Sequence, residues 1–297
     1  MDLKKPLSYE EQITRLEEHN LEVQDRNFAI EFLSRVNYYR FTGYALQFRK
    51  SPHDSDYIAG ITFELVAEIY RFDCDLRHLL HKQIEILEIF YRTQIAYHFS
   101  MSKCFLPPHN QHYDLTIFFD QENAKTVINN FNNKRKYHKD SLIYQHHQRK
   151  YNNQFPLWVI AEMLSFSDLS KLYSCMYNSE QNAIAQAVGT GHSVLKNHLH
   201  CLSVLRNKCA HAARLYNTNF MPSAQLPRSF LREYREVMND SLFTYILVVV
   251  KRLPKDSQKL EFISELTDLI ENYQDSIDLK LLNFPDDFVQ ILKDNRI

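Results

Sequence analysis

The chain has 297 residues, 44% of them hydrophobic, 24% charged, and a net charge of -1, so it holds apolar material for one large core or two smaller ones and presents no global field that would draw a polyanion. Four Gly and nine Pro leave little for the tight turns of a many-stranded protein, and an all-α fold is expected. The five cysteines Cys74, Cys104, Cys175, Cys201 and Cys209 are odd in number and form no C-x-x-C pair, which argues against a disulfide framework or zinc site and fits a reducing cytoplasm.

In chain order, "LSYEEQITRLEEH" announces a first helix near Tyr9, with Ser8 and Glu11 at the spacing of a capping box. A second helix is expected from about Asp25 to Val36, followed by the aromatic "NYYRFTGYALQF" around Gly43, read as a buried helix junction. From Thr62 to Ser100 the apolar positions Leu79, Ile84, Leu87, Tyr91 and Ile95 recur at helical spacing, giving one very long helix or two with a bend. The Pro pair at 107 and 108 ends that block. No leader is read in "MDLKKPLSYEEQ", and no stretch reaches the roughly 18 apolar residues of a membrane span; "LFTYILVVV" is closed by Lys251 and Arg252.

The region up to about Gln154 is rich in His and Tyr and concentrates Lys134, Arg135, Lys136, Lys139, Arg149 and Lys150. Interleaved with Tyr137, His138, Tyr144 and Tyr151, these cations have the composition of a strand-binding surface, where charge meets phosphate and rings meet bases. The same pattern also suits a solvated loop. His146 and His147 are adjacent and lack a carboxylate at ligand spacing, so no metal site is expected. Beyond them, Ser167 is the expected N-cap of a short helix at Asp168, "GTGHS" a turn, and Ser193 the start of another helix. A long apolar-periodic segment follows over about 229–253, and then a tail with ten acidic against five basic residues over 255–297.

The helix after the turn carries "VLRNKCAHAARLYN", from Val204 to Asn217. At about 100° per residue, Asn207 and His211 lie about 40° apart and Arg214 falls close to Asn207, while Arg206 sits about 140° from His211. Imidazole moves protons near neutral pH, guanidinium stays charged and stabilises extra charge on phosphorus, and Asn can orient either. Read alone, the stripe also fits a solvent face or a buried polar network.

The residues "RNKCAHAARLYN" resemble the R-x4-6-H signature of HEPN domains, and the whole chain resembles the Abi-like abortive-infection family. "KPLSYEEQITRLEEHNL", "VNYYRFTGYALQF", "IEILEIFYRTQIAYHFS" and "PLWVIAEMLSFSDLSKLY" precede that motif in the family's order, and "NFPDDF" near the end departs from the family's G-F-P-x-x-W at Asn283 and Phe288. The resemblance implies a HEPN-type helical bundle with additional N-terminal and C-terminal helices, and a metal-independent endoribonuclease that needs no cofactor. The expected regions are 1–60, a core over 61–253 with a basic insertion at about 105–155, and 254–297.

Carried over, Arg206 and His211 become the catalytic pair and Asn207 the supporting residue, in a site that relatives complete by homodimerisation. Glu85, Glu88 and Arg92 would lie beside it, with Glu88 or Arg92 holding Arg206 or His211 in place. Glu88 and Arg92 also read as an ordinary ion pair one turn apart, and Arg92 to His98 is only a loose match to the motif. The expected partners are RNA, as substrate and as a small regulatory species, and a second copy of the chain, with no membrane. An alternative is a non-cleaving module that sequesters or senses a structured RNA.

Overall fold

The computed structural model describes residues 5–294; the segment at 1–4, part of the stretch read as lacking a leader, and the last three residues of the acidic tail lie outside the described residues. Among the described residues there are α- and 3-10 helices and two isolated β-bridges, with no strand. The all-α reading holds.

The N-terminal arm is built from local signals. Helix α1 (Tyr9–Glu18) is capped by the expected box, with Ser8 N-H donating to Glu11 at 2.7 Å and Glu11 N-H to Ser8 Oγ at 3.2 Å. Asp25 caps α2 (Arg26–Arg35), and Asn37 caps α3 (Tyr38–Ala45). The aromatic-dense segment is indeed a junction: Phe41 is fully buried and stacks on Phe63 at 4.2 Å between centroids. Burying such a ring contributes about 1.5–3 kcal/mol.

Phe63 opens α4 (Phe63–Lys103), one unbroken helix of 41 residues capped by Thr62. At 1.5 Å per residue it runs about 60 Å. Its buried stripe of Ile69, Phe72, Leu76, Leu80, Ile84, Leu87, Tyr91, Ile95 and Phe99 follows the helical period. The C-terminal half of the chain wraps this rod. Helices α7 (Leu157–Met163), α8 (Phe166–Cys175), α9 (Asn178–Ala187), α10 (His192–Ala210), α12 (Leu242–Arg252) and α13 (Asp256–Asn272) all pack on it, as does α3. Helix α12 is apolar all round and every residue of it except Lys251 is buried, the burial that such a pattern demands. Among the described residues no helix is long and apolar enough to cross a membrane.

The remaining helices are peripheral. α5 (Gln121–Lys134) packs on α8, α6 (Leu142–Lys150) leads toward α7, and α14 (Phe288–Lys293) packs on α13. Two sequence expectations need correction. The apolar segment over 229–253 is not one helix but α11 (Arg228–Glu233) and α12, because the chain between them bonds sideways: Phe220 N-H donates to Asp240 O at 2.8 Å and Ala224 N-H to Asn239 O at 2.7 Å. The N-cap of α8 is Ser165, not Ser167; Ser165 forms a capping box with Asp168. In the tail, Asn283 adopts a left-handed φ of 54°, a conformation that Gly takes without strain and Asn tolerates.

Candidate functional site

Helix α10 carries the Arg-His motif to its end and then stops. Its last residue is Ala210, His211 is the C-cap, and Ala212 turns left-handed at φ 51°. His211 N-H still donates to Asn207 O at 3.0 Å, so these two residues do sit one turn apart. Arg214 does not join them: it leaves the helix, donates to the Gly43 carbonyl of α3 and lies over the Tyr44 ring at 5.8 Å. The three-residue face read from helical phase is therefore overturned for Arg214, since the phase ends at Ala210.

Arg206 turns toward α4, where its Nε lies 3.4 Å from Glu88 Oε2. The contact is an ion pair outside hydrogen-bond geometry, as that Nε has no hydrogen-bond partner. The other oxygen of Glu88 accepts from Arg92 Nη2 at 2.9 Å. Glu88 therefore makes the i,i+4 pair with Arg92 and also pairs with Arg206. Arg92 also donates to Leu164 O at 3.2 Å, and its Nη1 lies 3.8 Å from Glu162 on α7. Glu88 and Arg92 are mostly covered, while Arg206 keeps 31% of its side chain exposed. One carboxylate thus fixes two guanidiniums, which leaves part of Arg206 facing solvent.

Asn207 points to the third neighbour. Its Nδ2 donates to Ser167 Oγ at 3.1 Å, which gives Ser167 a role other than capping. His211 is exposed, and no side-chain bond to it occurs among the described residues. Cys209, between them in sequence, is held neutral, its thiol pushed up to about 12 by burial.

Sequence reasoning missed the clamp on the far side of His211. Asp73 is fully buried and accepts from Leu215 N-H at 3.2 Å, Tyr216 N-H at 2.8 Å and Tyr44 OH at 2.6 Å, and it pairs with Arg77. Arg77 in turn donates to Ala213 O at 3.3 Å, and Arg40 of α3 donates to Ala212 O. Burial works against the charge of Arg77, and the charges of Asp73 and Tyr44 outweigh it and raise its pKa; burial and then Asp73 push Tyr44 up as well. The available signal was an Asp and an Arg four residues apart inside the apolar stripe of α4.

The basic region separates into two classes. Lys134 reaches the buried Asp168, which also accepts from Asn130 at 2.8 Å. Burial raises the Asp168 pKa, and the bonds from Lys134, Ser165 and Asn130 outweigh it and lower it. Lys134 therefore ties α5 to α8 and is removed from the free cations. Among the described residues Arg135, Lys136, Lys139, Arg149 and Lys150 have no ion-pair partner. Tyr137 and Tyr151 are exposed, but Tyr144 is buried against Phe155 and presents no ring to a base. Among the described residues no group of three His, Cys, Asp or Glu side chains could hold a metal ion.

No curated protein and no solved structure matches the chain. The profile of the Abi-like protein family matches residues 31–217, a range that begins in α2, takes in the Asp73 clamp, Glu88, Arg92, Arg206 and His211, and covers more than half of the sequence. The chain belongs to the Abi-like protein family.

Proposed function

We propose that this protein is a metal-independent endoribonuclease of the HEPN type, acting as an abortive-infection toxin of the cytoplasm and working as a homodimer. The observation that carries the reading is the Glu88 carboxylate bound to both Arg92 and Arg206, beside an α10 terminus that ends on an exposed His211.

The chemistry is a transesterification. His211 takes the proton of a ribose 2'-hydroxyl, whose oxygen attacks the adjacent phosphorus. The bond to the 5'-oxygen breaks, and that oxygen receives a proton from the acid of the site; a 2',3'-cyclic phosphate and a 5'-hydroxyl result. Arg206 stabilises the extra negative charge at phosphorus, and Asn207 orients the reacting groups. A second His211 from the partner subunit would supply the acid to the base of the first.

His211→Ala and Arg206→Ala are each expected to abolish RNA cleavage with the helical fold intact by circular dichroism, and EDTA to leave cleavage unchanged. Full cleavage by both variants would overturn the reading. A non-cleaving RNA-binding module is the second reading, favoured by the absence, among the described residues, of a side-chain bond that orients the His211 ring. Tight RNA binding without turnover of any RNA by the wild-type protein selects it.

A further inference from the structure

Helix α7 exposes two residues, Trp158 and Glu162. They are four apart, hence stacked on one face about 6 Å from each other along the axis. Glu162 reaches Arg92, which shares Glu88 with Arg206. Trp158, 51% exposed, lines a cleft of about 570 Å³ between α6, α7 and the turn after α4. His109, His147, Tyr151, Gln154 and Phe155 complete that cleft.

The cleft is walled by rings. His147 stacks on Phe155 at 5.6 Å and 20°, and lies 5.2 Å from Tyr151. His147 Nδ1 donates to the Ile143 carbonyl at 3.0 Å, so the ring is fixed from its own helix. Asn152 and Asn153 both adopt left-handed φ, 49° and 60°, in the turn that carries Gln154 into the wall. Asn is the non-glycine residue that tolerates this conformation, so the sequence suits a sharp turn at this point. The ammonium of Lys150 lies 5.5 Å from the ring of Tyr151, a residue of the cleft wall, and Arg149 is exposed beside it.

We infer that this cleft is a base-binding subsite for single-stranded RNA, in which one unpaired nucleobase is held between Trp158 and Tyr151 while Lys150 neutralises its phosphate. Planar aromatic walls, a side-chain amide at the edge and a cation close by are the features by which an unpaired base is bound, and the volume lies in the range of small-ligand pockets. Trp158 and Glu162 belong to the same short helix, so the cleft and the Arg92–Glu88–Arg206 cluster border one element. The inference rests on the ribonuclease reading, and it adds that this cleft selects which phosphodiester reaches His211.

Trp158 is the only tryptophan of the chain, so its emission reports the cleft directly. In the full-length His211→Ala protein, hexa-adenylate and hexa-uridylate are titrated against tryptophan emission, with binding followed independently by anisotropy of a labelled oligomer. Saturable quenching by an oligomer is expected, with no change on adding tripolyphosphate and an affinity for AMP at least about tenfold weaker than for the oligomer. Tyr151→Ala should weaken oligomer binding about tenfold while keeping the emission of the folded protein.

No binding, binding with unquenched emission, or equal quenching by tripolyphosphate overturns the inference. Saturation by AMP at the same concentration overturns it too, in favour of a free-nucleotide site. Unquenched binding alongside wild-type cleavage removes the cleft alone. Quenching without any cleavage by the wild-type protein removes the nuclease reading and leaves the base site.

Discussion

Glu88 Oε2 lies 3.4 Å from Arg206 Nε while Glu88 Oε1 accepts from Arg92 at 2.9 Å. A residue of α4 thereby sets the direction of the guanidinium at the head of the Arg-His motif. Glu88→Gln keeps the shape and removes the charge that orients Arg206. Cleavage is expected to fall about 10- to 100-fold, the scale on which a misplaced group acts. The loss should appear in kcat more than in KM, with partial rescue by Glu88→Asp; equal losses from Gln and Asp together with a lowered urea midpoint would mark Glu88 as purely structural.

Asp73 binds two backbone N-H groups, one phenol and one guanidinium in the core. Asp73→Ala leaves Arg77 buried without its partner, and a loss of about 3–5 kcal/mol in urea unfolding is expected. Hydrogen exchange at the Leu215 and Tyr216 amides should accelerate more than exchange across α12. Unchanged protection at those two amides would contradict the clamp.

Two histidines are buried neutral. Burial is the main cause that lowers His112 to about 4 and His198 to about 3, against about 6.5 in an unfolded chain. The unfolded chain therefore binds protons that the folded chain refuses, so stability is full above about pH 6.5 and falls as the pH drops toward 4, by about 1.4 kcal/mol per pH unit for each group. Urea midpoints at pH 7 and pH 5 measure this. His198→Gln, which can still donate to Gln225 O, should flatten the slope by about half; a wild-type midpoint equal at both pH values would refute the account.

Lys134 and the unpaired cations should separate cleanly in experiment. Lys134→Ala strips a partner from the buried Asp168 and is expected to cost about 1–3 kcal/mol of stability, with the salt dependence of RNA binding unchanged. Replacing Lys136, Lys139 and Lys150 together by Ala should leave stability within about 0.5 kcal/mol. The same triple change should reduce the slope of log affinity against log salt by about 2. Filter binding across a salt series, with urea unfolding in parallel, tests both.

The elements with local signals were legible: the Ser8–Glu11 box formed as read, a helix begins beside Asp25 as expected, and of the two readings of the segment from Thr62 the single long helix is the one that forms. The failures lie where tertiary contacts overrule periodicity. Helix α10 stops at Ala210, ahead of a left-handed Ala212 that carries no stop signal, because Arg40 and Arg77 take the Ala212 and Ala213 carbonyls. For that reason Arg214 could not be placed by counting turns. The chain between α11 and α12 has no Gly or Pro to announce its break, which is made by bonds to the segment around Phe220 and Ala224. Glu88 was found from a resemblance together with i,i+4 spacing. Asp73 escaped notice since an Asp four residues before an Arg reads as a pair along one helix and does not reveal which backbone it will hold.

Asp73 and Glu88 are fifteen positions apart on the same unbroken helix, about 22 Å at 1.5 Å per residue. The segment from Arg206 to Tyr216 is strung between these two posts, fastened to Glu88 at its start and to Asp73 at its end. Arg206 takes its position from the phase of α10, and His211, still bonded to Asn207 O at the helix end, is followed by a turn whose far side the Asp73 clamp holds. The end of α10 is therefore held from both sides, by the Glu88 carboxylate before it and by the core carboxylate of Asp73 after it, so a change at either post is felt at the helix terminus between them.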